Sequence, residues 1–309
     1  MPELSLAKLN ALAADPARTV AAAEAEYHEK LEHAAREVLA RGTRAVLLAG
    51  PSGAGKTTTA NLLADAIRAE GHAGLVLSLD DFYLDSADPH YPKNADGTRN
   101  MECAEALDLD AVRRTLADIL AGRPFSVPKY DFKCSARTGM TDYPALTHGC
   151  VVIEGLHALN PKIAGDLSTD ALLRIFVSVS TNLVDDDGER VLSGRKLRFV
   201  RRLVRDSLYR GATAMHTLTL WRQVLAGEDA YLYPYKENAE LFFDTFHTFE
   251  PGVMRPFAER VMSEESLTDP YMRAVADALA KVTPIPDALV PRTSLIREFI
   301  PGGKYEHLY

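Results

Sequence analysis

The octet GPSGAGKT (Gly50–Thr57) fits G-x-x-x-x-G-K-[ST] at every fixed position. Each residue type has a chemical reason. Glycines let successive backbone N–H groups converge on a phosphate without interference from a Cβ, and a following helix would add its positive N-terminal end. Lys56 would reach the β- and γ-phosphates as a point charge, and the Thr57 hydroxyl is suited to Mg²⁺. The expected nucleotide-binding set is Gly50, Ser52, Gly53, Ala54, Gly55, Lys56, Thr57 and Thr58, with ATP and Mg²⁺ as the implied ligands.

Carboxylates at two further points could complete phosphoryl-transfer chemistry. Asp80 and Asp81 close the apolar run GLVLSLDD (Gly74–Asp81), and Glu154 closes the apolar part of GCVVIEG (Gly149–Gly155). In an open parallel sheet, the carboxyl ends of strands face the crevice that also holds the phosphate loop. A carboxylate there can hold a metal or take the proton of an attacking hydroxyl. A solvated strand end or a helix cap is the plainer role for any one of them. A basic stretch follows: Arg195, Lys196, Arg198, Arg201, Arg202, Arg205 and Arg210. On a helix, Arg198, Arg201, Arg202 and Arg205 would share a face. Such a helix could close over a phosphate site as a lid, supplying charge and excluding water. The alternative is a solvated face paired with Asp185–Asp187, Glu189 and Asp206.

These residues need elements to position them. The phosphate loop lies between AVLLAG (Ala45–Gly50), a buried-strand pattern, and a helix expected through about Ala69. Near-continuous apolar runs at Gly74–Asp81, Gly149–Gly155 and Leu172–Ser180 read as strands buried on both faces. They alternate with amphipathic stretches such as Leu107–Gly122, which predicts an α/β fold with a parallel doubly wound sheet. The basic stretch Gly194–Gly211 and Thr213–Leu225 read as helical, giving a lid around 185–225. Residues 1–43 read as an N-terminal helical extension, broken at Asp15-Pro16 and capped by Gly42. The core is expected over 44–250. After Glu240–Phe246, residues 251–309 read as a C-terminal helical extension and tail: helices at Met254–Met262 and Leu267–Lys281, then the proline-punctuated linker Pro284–Pro291.

The bulk properties narrow the class. The chain has 309 residues, 47% of them hydrophobic and 25% charged, enough for a sizeable core. A formal charge of −8 argues against a dedicated nucleic-acid binder. Cys103, Cys134 and Cys150 show no metal-ligand or disulfide spacing and are expected as free thiols. No secretory signal or bilayer-length apolar run occurs in the sequence, so a cytoplasmic protein with no membrane partner is expected.

The ordered motifs resemble the uridine kinase and phosphoribulokinase family of P-loop kinases. The resemblance spans about Arg44 to Pro256 and rests on GPSGAGKTT (Gly50–Thr58), SLDDFYLD (Ser78–Asp85), VPKYDF (Val127–Phe132), VIEGLHALN (Val152–Asn160) and RRLVRDSLYRG (Arg201–Gly211). EGLHALN, YPYKENAELFF (Tyr233–Phe243) and the tail SLIREFIPGG (Ser294–Gly303) are similar to the long bacterial nucleoside-kinase type, here expected to lack its TGS domain. The resemblance implies Asp80 as general base beside the metal, with Thr57 and Glu154 as the other metal-side ligands. It implies Tyr83, Tyr130 and Phe132 as the acceptor pocket's lining, Glu102 at a position that binds ribose hydroxyls, Arg202 on the acceptor side, and Arg205 and Arg210 as catalytic lid arginines. Three positions depart from the pattern: Ser135, Ala212 and Leu220 stand where pyrimidine kinases carry a histidine, an arginine and a glutamine. His157, three residues past Glu154, falls at the crevice mouth and is read as structural, because Asp80 already fills the base position.

The expected function is therefore transfer of the ATP γ-phosphoryl group to a hydroxyl of a small molecule, a nucleoside with atypical base recognition. A non-nucleoside polyol or sugar-like acceptor is the alternative within the class, and a regulatory P-loop protein is the alternative outside it. Against the latter, the sequence has no guanine-reading NKxD, and LSGRK (Leu192–Lys196) lacks the rest of a transporter-ATPase signature. A small-molecule acceptor is the expected partner, and assembly into a homo-oligomer stays open.

Overall fold

The computed structural model describes residues 2–167 and 170–308. A short strand β1 (Glu3–Ser5) leads into α1 (Leu6–Leu12) and the long α2 (Pro16–Ala40), whose break is made by Asp15 accepting from the Arg18 N–H and by Pro16 in the first turn. Then come β2 (Ala45–Ala49), α3 (Lys56–Ala69), β3 (Ala73–Ser78), α4 (Leu109–Leu120), the hairpin β4 (Phe125–Asp131) and β5 (Ala136–Tyr143), and β6 (Gly149–Glu154). After the short α5 (Pro161–Ala164) follow β7 (Leu172–Ser178), β8 (Asn182–Val184), β9 (Arg190–Leu192), α6 (Gly194–Arg210) and α7 (Ala214–Tyr231). The chain ends through β10 (Leu241–Asp244), α8 (Glu250–Val261), α9 (Pro270–Ala280) and a tail of 3₁₀ turns.

Five strands form one parallel sheet in the order β10-β7-β2-β6-β3, with the phosphate-loop strand β2 at its centre. Both faces of this sheet are buried, which is why its strands read as unbroken apolar runs. Val46, Leu48, Val152 and Ile175 pack on one face with Leu31 of α2, Leu63 of α3, Trp221 of α7 and Val253 of α8. Leu47, Val151, Ile153 and Phe176 point the other way, toward Val112, Leu116 and Ile119 of α4. The fold is the predicted doubly wound α/β class.

Several local expectations are corrected. The second strand stops at Ser78, whose hydroxyl accepts from the Asp80 N–H and starts a 3₁₀ turn over Leu79–Phe82, so Asp80 and Asp81 sit on a turn and not on the strand. The helix expected from Leu107 begins at Leu109, because Asp108 caps it by accepting from the Ala111 N–H. The helix expected from Met254 starts four residues earlier with Pro251 in its first turn, and α7 runs on to Tyr231 through Gly227. VPKYDF is one strand of a half-exposed hairpin. The tail after Pro291 is core material: Leu295, Ile296, Phe299 and Ile300 are all fully buried. Among the described residues, no helix is long and apolar enough to cross a membrane.

Candidate active site

The phosphate loop is built around close approaches that only glycine allows. A Cβ on Gly50 would lie 2.3 Å from the Val177 carbonyl oxygen, and Gly53 (φ +71) would meet the Arg198 carbonyl at 2.7 Å. Gly55 (φ +84) is the N-cap of α3 without a side-chain cap, so the helix opens with N–H groups directed at the loop's concavity. Ser52 is gripped from three sides. Its N–H donates to Glu228 (2.8 Å), its carbonyl accepts from Arg198 (2.7 Å) and its hydroxyl accepts from Arg202 (2.9 Å).

The loop opens onto a cavity of about 660 Å³. Ser52, Gly53, Gly55, Lys56 and Thr57 line it from the loop, Asp80 and Asp81 from the 3₁₀ turn after β3, Glu154 from the end of β6, and Arg202, Arg205 and Arg210 from α6. Gly50, Ala54 and Thr58 form the loop's inner side and are not on the cavity wall. Glu154, 6% exposed, accepts from the Thr57 hydroxyl (3.3 Å) and the Ser78 hydroxyl (3.1 Å). Burial pushes its carboxyl up to about 7, with Lys56 pulling the other way. Asp80 is raised for the same reason, against Lys56 and Arg210. Its side chain is nevertheless exposed to solvent at the cavity.

Thr57, Asp80 and Glu154 all line this cavity and offer hard oxygen donors. Among the described residues no group of three or more His, Cys, Asp or Glu side chains forms a closed metal cage. One hydroxyl and two carboxylates suit Mg²⁺, which uses one or two carboxylates and completes its shell with water and phosphate oxygens.

The basic stretch divides in two. Arg198 and Arg201 turn inward, 1% and 0% exposed, into ion pairs with Glu228 and Glu250. Arg201 also donates to the Gly53 carbonyl (3.1 Å) and the Thr245 carbonyl (2.7 Å). Their partners come from α7 and α8 and not from Asp185–Asp187, Glu189 or Asp206. Arg202, Arg205 and Arg210 face the cavity and converge on buried Asp206 at 3.1, 3.0 and 3.5 Å. The stripe is thus half bracing and half cavity wall.

Tyr83, Tyr130 and Phe132, expected to line an acceptor pocket, form an aromatic cluster with ring centroids 5.0–5.7 Å apart. Phe132 is on the main cavity wall, whereas Tyr83, Tyr130 and Glu102 are not among its lining residues. Glu102 lies against Gly227 of α7, its Oε2 only 3.0 Å from where a Cβ would be, and partial burial raises its carboxyl while Arg202 lowers it. His157, expected at the crevice mouth, is 4% exposed, and burial lowers its imidazole to about 4. Glu228, Glu250 and Glu298 were missed by sequence reasoning. The first two carry no motif signal, and the third lies in SLIREFIPGG, a stretch whose resemblance assigns it no chemistry.

The sequence model of the phosphoribulokinase / uridine kinase family matches residues 46–250, about two thirds of the chain. The chain belongs to this family. Family membership makes it a kinase that phosphorylates a small-molecule alcohol with ATP as donor. A uridine kinase of Deinococcus deserti is 31% identical over 166 residues, covering 54% of this chain and 70% of the relative. A uridine kinase of Staphylococcus aureus (strain JH9) is 27% identical over 203 residues, covering 65% and 87%. Among solved structures, a protein described as a possible uridine kinase from Bacillus stearothermophilus aligns with 17% identity and a TM-score of 0.47, over 71% of this chain and all of that one.

Proposed function

We propose that this family member transfers the γ-phosphoryl group of ATP to a hydroxyl of a nucleoside-like acceptor without strict reading of the base. The observation that carries the reading is the convergence of Lys56, Asp80, Glu154 and the three cavity arginines on one wall system around the phosphate loop. In the proposed step the acceptor oxygen attacks the γ-phosphorus and Asp80 takes the acceptor proton. The bond from that phosphorus to the bridging oxygen breaks, and ADP leaves. Asp80's raised carboxyl suits a base that must hold a proton briefly. Lys56, Arg205 and Arg210 would carry the charge that develops on the transferring group. Bound Mg²⁺, held on the Thr57, Asp80 and Glu154 side, would neutralise phosphate charge.

Glu102 and Arg202 are the proposed contacts for a vicinal diol. Ala212 and Leu220 border an adjoining cavity of about 510 Å³ together with Arg202, Arg210 and His216. A site that reads a polar edge with buried polar groups discriminates by ~10⁴-fold, whereas an apolar wall discriminates only ~10- to 200-fold. Small and apolar side chains at these two positions, and Ser135 in the hairpin turn, favour tolerance of the base. The same argument keeps a base-free polyol as the second reading. A cytoplasmic location is proposed with the metabolic role.

The test is kcat/KM for uridine, cytidine, adenosine, inosine and a set of free polyols under one Mg-ATP condition. Broad acceptance across bases, or preference for a base-free polyol, is expected. A clear preference for uridine near ~10⁵ M⁻¹s⁻¹ would contradict the argument from Ser135, Ala212 and Leu220.

A further inference from the structure

The C-terminal tail brings a carboxylate into a cavity built for phosphates. Glu298 lines the main cavity, yet it is 5% exposed and flanked by the fully buried Ile296, Phe299 and Ile300. Its two oxygens are divided. Oε2 accepts from the Thr58 hydroxyl (2.9 Å) and, at 3.4 Å, from the Thr58 N–H in the first turn of α3. Oε1 faces Nη1 of Arg205 at 3.9 Å. Arg205 is therefore held between two carboxylates, Asp206 on its own helix and Glu298 on the tail.

Beyond Glu298 the tail keeps bridging the same two helices. Lys304 and Tyr305 bind Asp65 of α3, and Tyr209 of α6 donates to Glu306 at 3.3 Å. Leu308 returns to the cavity wall. The helix that follows the phosphate loop and the helix that carries the cavity arginines are thus tied by one segment far away in sequence.

Two consequences of Glu298 oppose each other. Its charge repels a polyphosphate, and its position keeps Arg205 from folding entirely onto Asp206. The repulsion is already offset by Arg205 and by the helix N-terminus, and the buried anchors on both sides prevent the tail from acting as a displaceable plug. Positioning should win.

We infer that Glu298 is a positioning residue for nucleotide binding: it aims Arg205 at the phosphates and makes the tail an integral part of the ATP site. The inference rests on the nucleotide reading of the cavity.

The test is calorimetric binding of Mg²⁺ with the non-hydrolysable analogue AMP-PNP, which needs no acceptor. Glu298→Gln is expected to raise Kd about 5- to 20-fold, within the range that contacting residues show in coupling experiments. Glu298→Asp keeps the charge but shortens an approach that is already long, so it should weaken binding similarly. Because Glu298 acts through Arg205, adding Glu298→Gln to Arg205→Gln should change Kd by less than about 2-fold, a coupling that a merely structural role would not produce. Multiplicative losses in the double variant, or tighter binding by Glu298→Gln, would overturn the inference. Wild-type protein that fails to bind the analogue would overturn the nucleotide reading itself, and this inference with it.

Discussion

Arg198 and Glu228 form a bidentate pair at 2.8 and 2.9 Å, each side chain 1% exposed, and between them they hold both backbone groups of Ser52. The phosphate loop's shape is thus set by a buried charge pair on α6 and α7, behind the residues that would touch a nucleotide.

Breaking that pair should be costly. Glu228→Ala leaves the Arg198 guanidinium buried and unpaired, and such losses amount to about 3–5 kcal/mol. Urea unfolding should show it as a lower midpoint at unchanged slope. The double variant Arg198→Met, Glu228→Leu should recover most of the stability while binding Mg-ATP more weakly, because Ser52 has lost both restraints. Full nucleotide affinity in a folded double variant would show that the pair does not shape the loop.

Asp80→Asn should cut kcat by about 10²- to 10⁴-fold, the range for a general base, with metal-free ATP binding little changed. Asp81 faces the hairpin, accepting from the Tyr130 N–H at 3.5 Å, and Asp81→Asn should be mild. The opposite ranking in steady-state kinetics would exchange their roles.

Gly227→Ala is a test of Glu102 made without touching it. The added methyl would fall 3.0 Å from Glu102 Oε2 and 3.3 Å from its Cβ, so the carboxylate must shift. The acceptor KM should rise, as it should for Glu102→Ala, while stability holds or gains about 0.5–1 kcal/mol from alanine in a helix. An unchanged acceptor KM in both variants would remove Glu102 from the acceptor site.

His157 gives a signature in acid. Burial lowers its imidazole to about 4, below the ordinary value near 6.5. Below pH ~6.5 the unfolded chain takes up a proton that the folded one refuses, so this contribution is complete above that pH and is lost as pH falls toward 4. The slope is about 1.4 kcal/mol per pH unit. A His157→Gln variant should show a flatter dependence of unfolding free energy over that window. Parallel curves would show that His157 titrates normally.

How much of this was legible follows from the range of the interactions. The phosphate loop, Glu154 at the end of its strand and the buried parallel sheet are local patterns, in which residue type and spacing carry the signal. Arg198 and Arg201 look identical to Arg202 and Arg205 on a helical wheel. What separates them is that α7 and α8 bring Glu228 and Glu250 against one side of α6, a tertiary fact with no spacing signature. The strands β1, β8 and β9 are three residues each, too short to show a period. Glu298 reaches Thr58 across 240 positions. The turn carrying Asp80 starts where the Ser78 hydroxyl accepts from the Asp80 N–H, a contact that leaves no mark on the apolar run before it.

The most direct test follows the γ-phosphoryl group itself. ATP labelled at the γ-position is incubated with Mg²⁺, the acceptor panel and either wild-type protein or Lys56→Ala, and the label is traced to product. The account predicts label on an acceptor hydroxyl with stoichiometric ADP, dependence on Mg²⁺, and a loss of about 10²-fold or more in folded Lys56→Ala, since a positioned charge on the transferring group has been removed. Label released only as free phosphate whatever acceptor is present, or near-wild-type transfer by a folded Lys56→Ala protein, would contradict it.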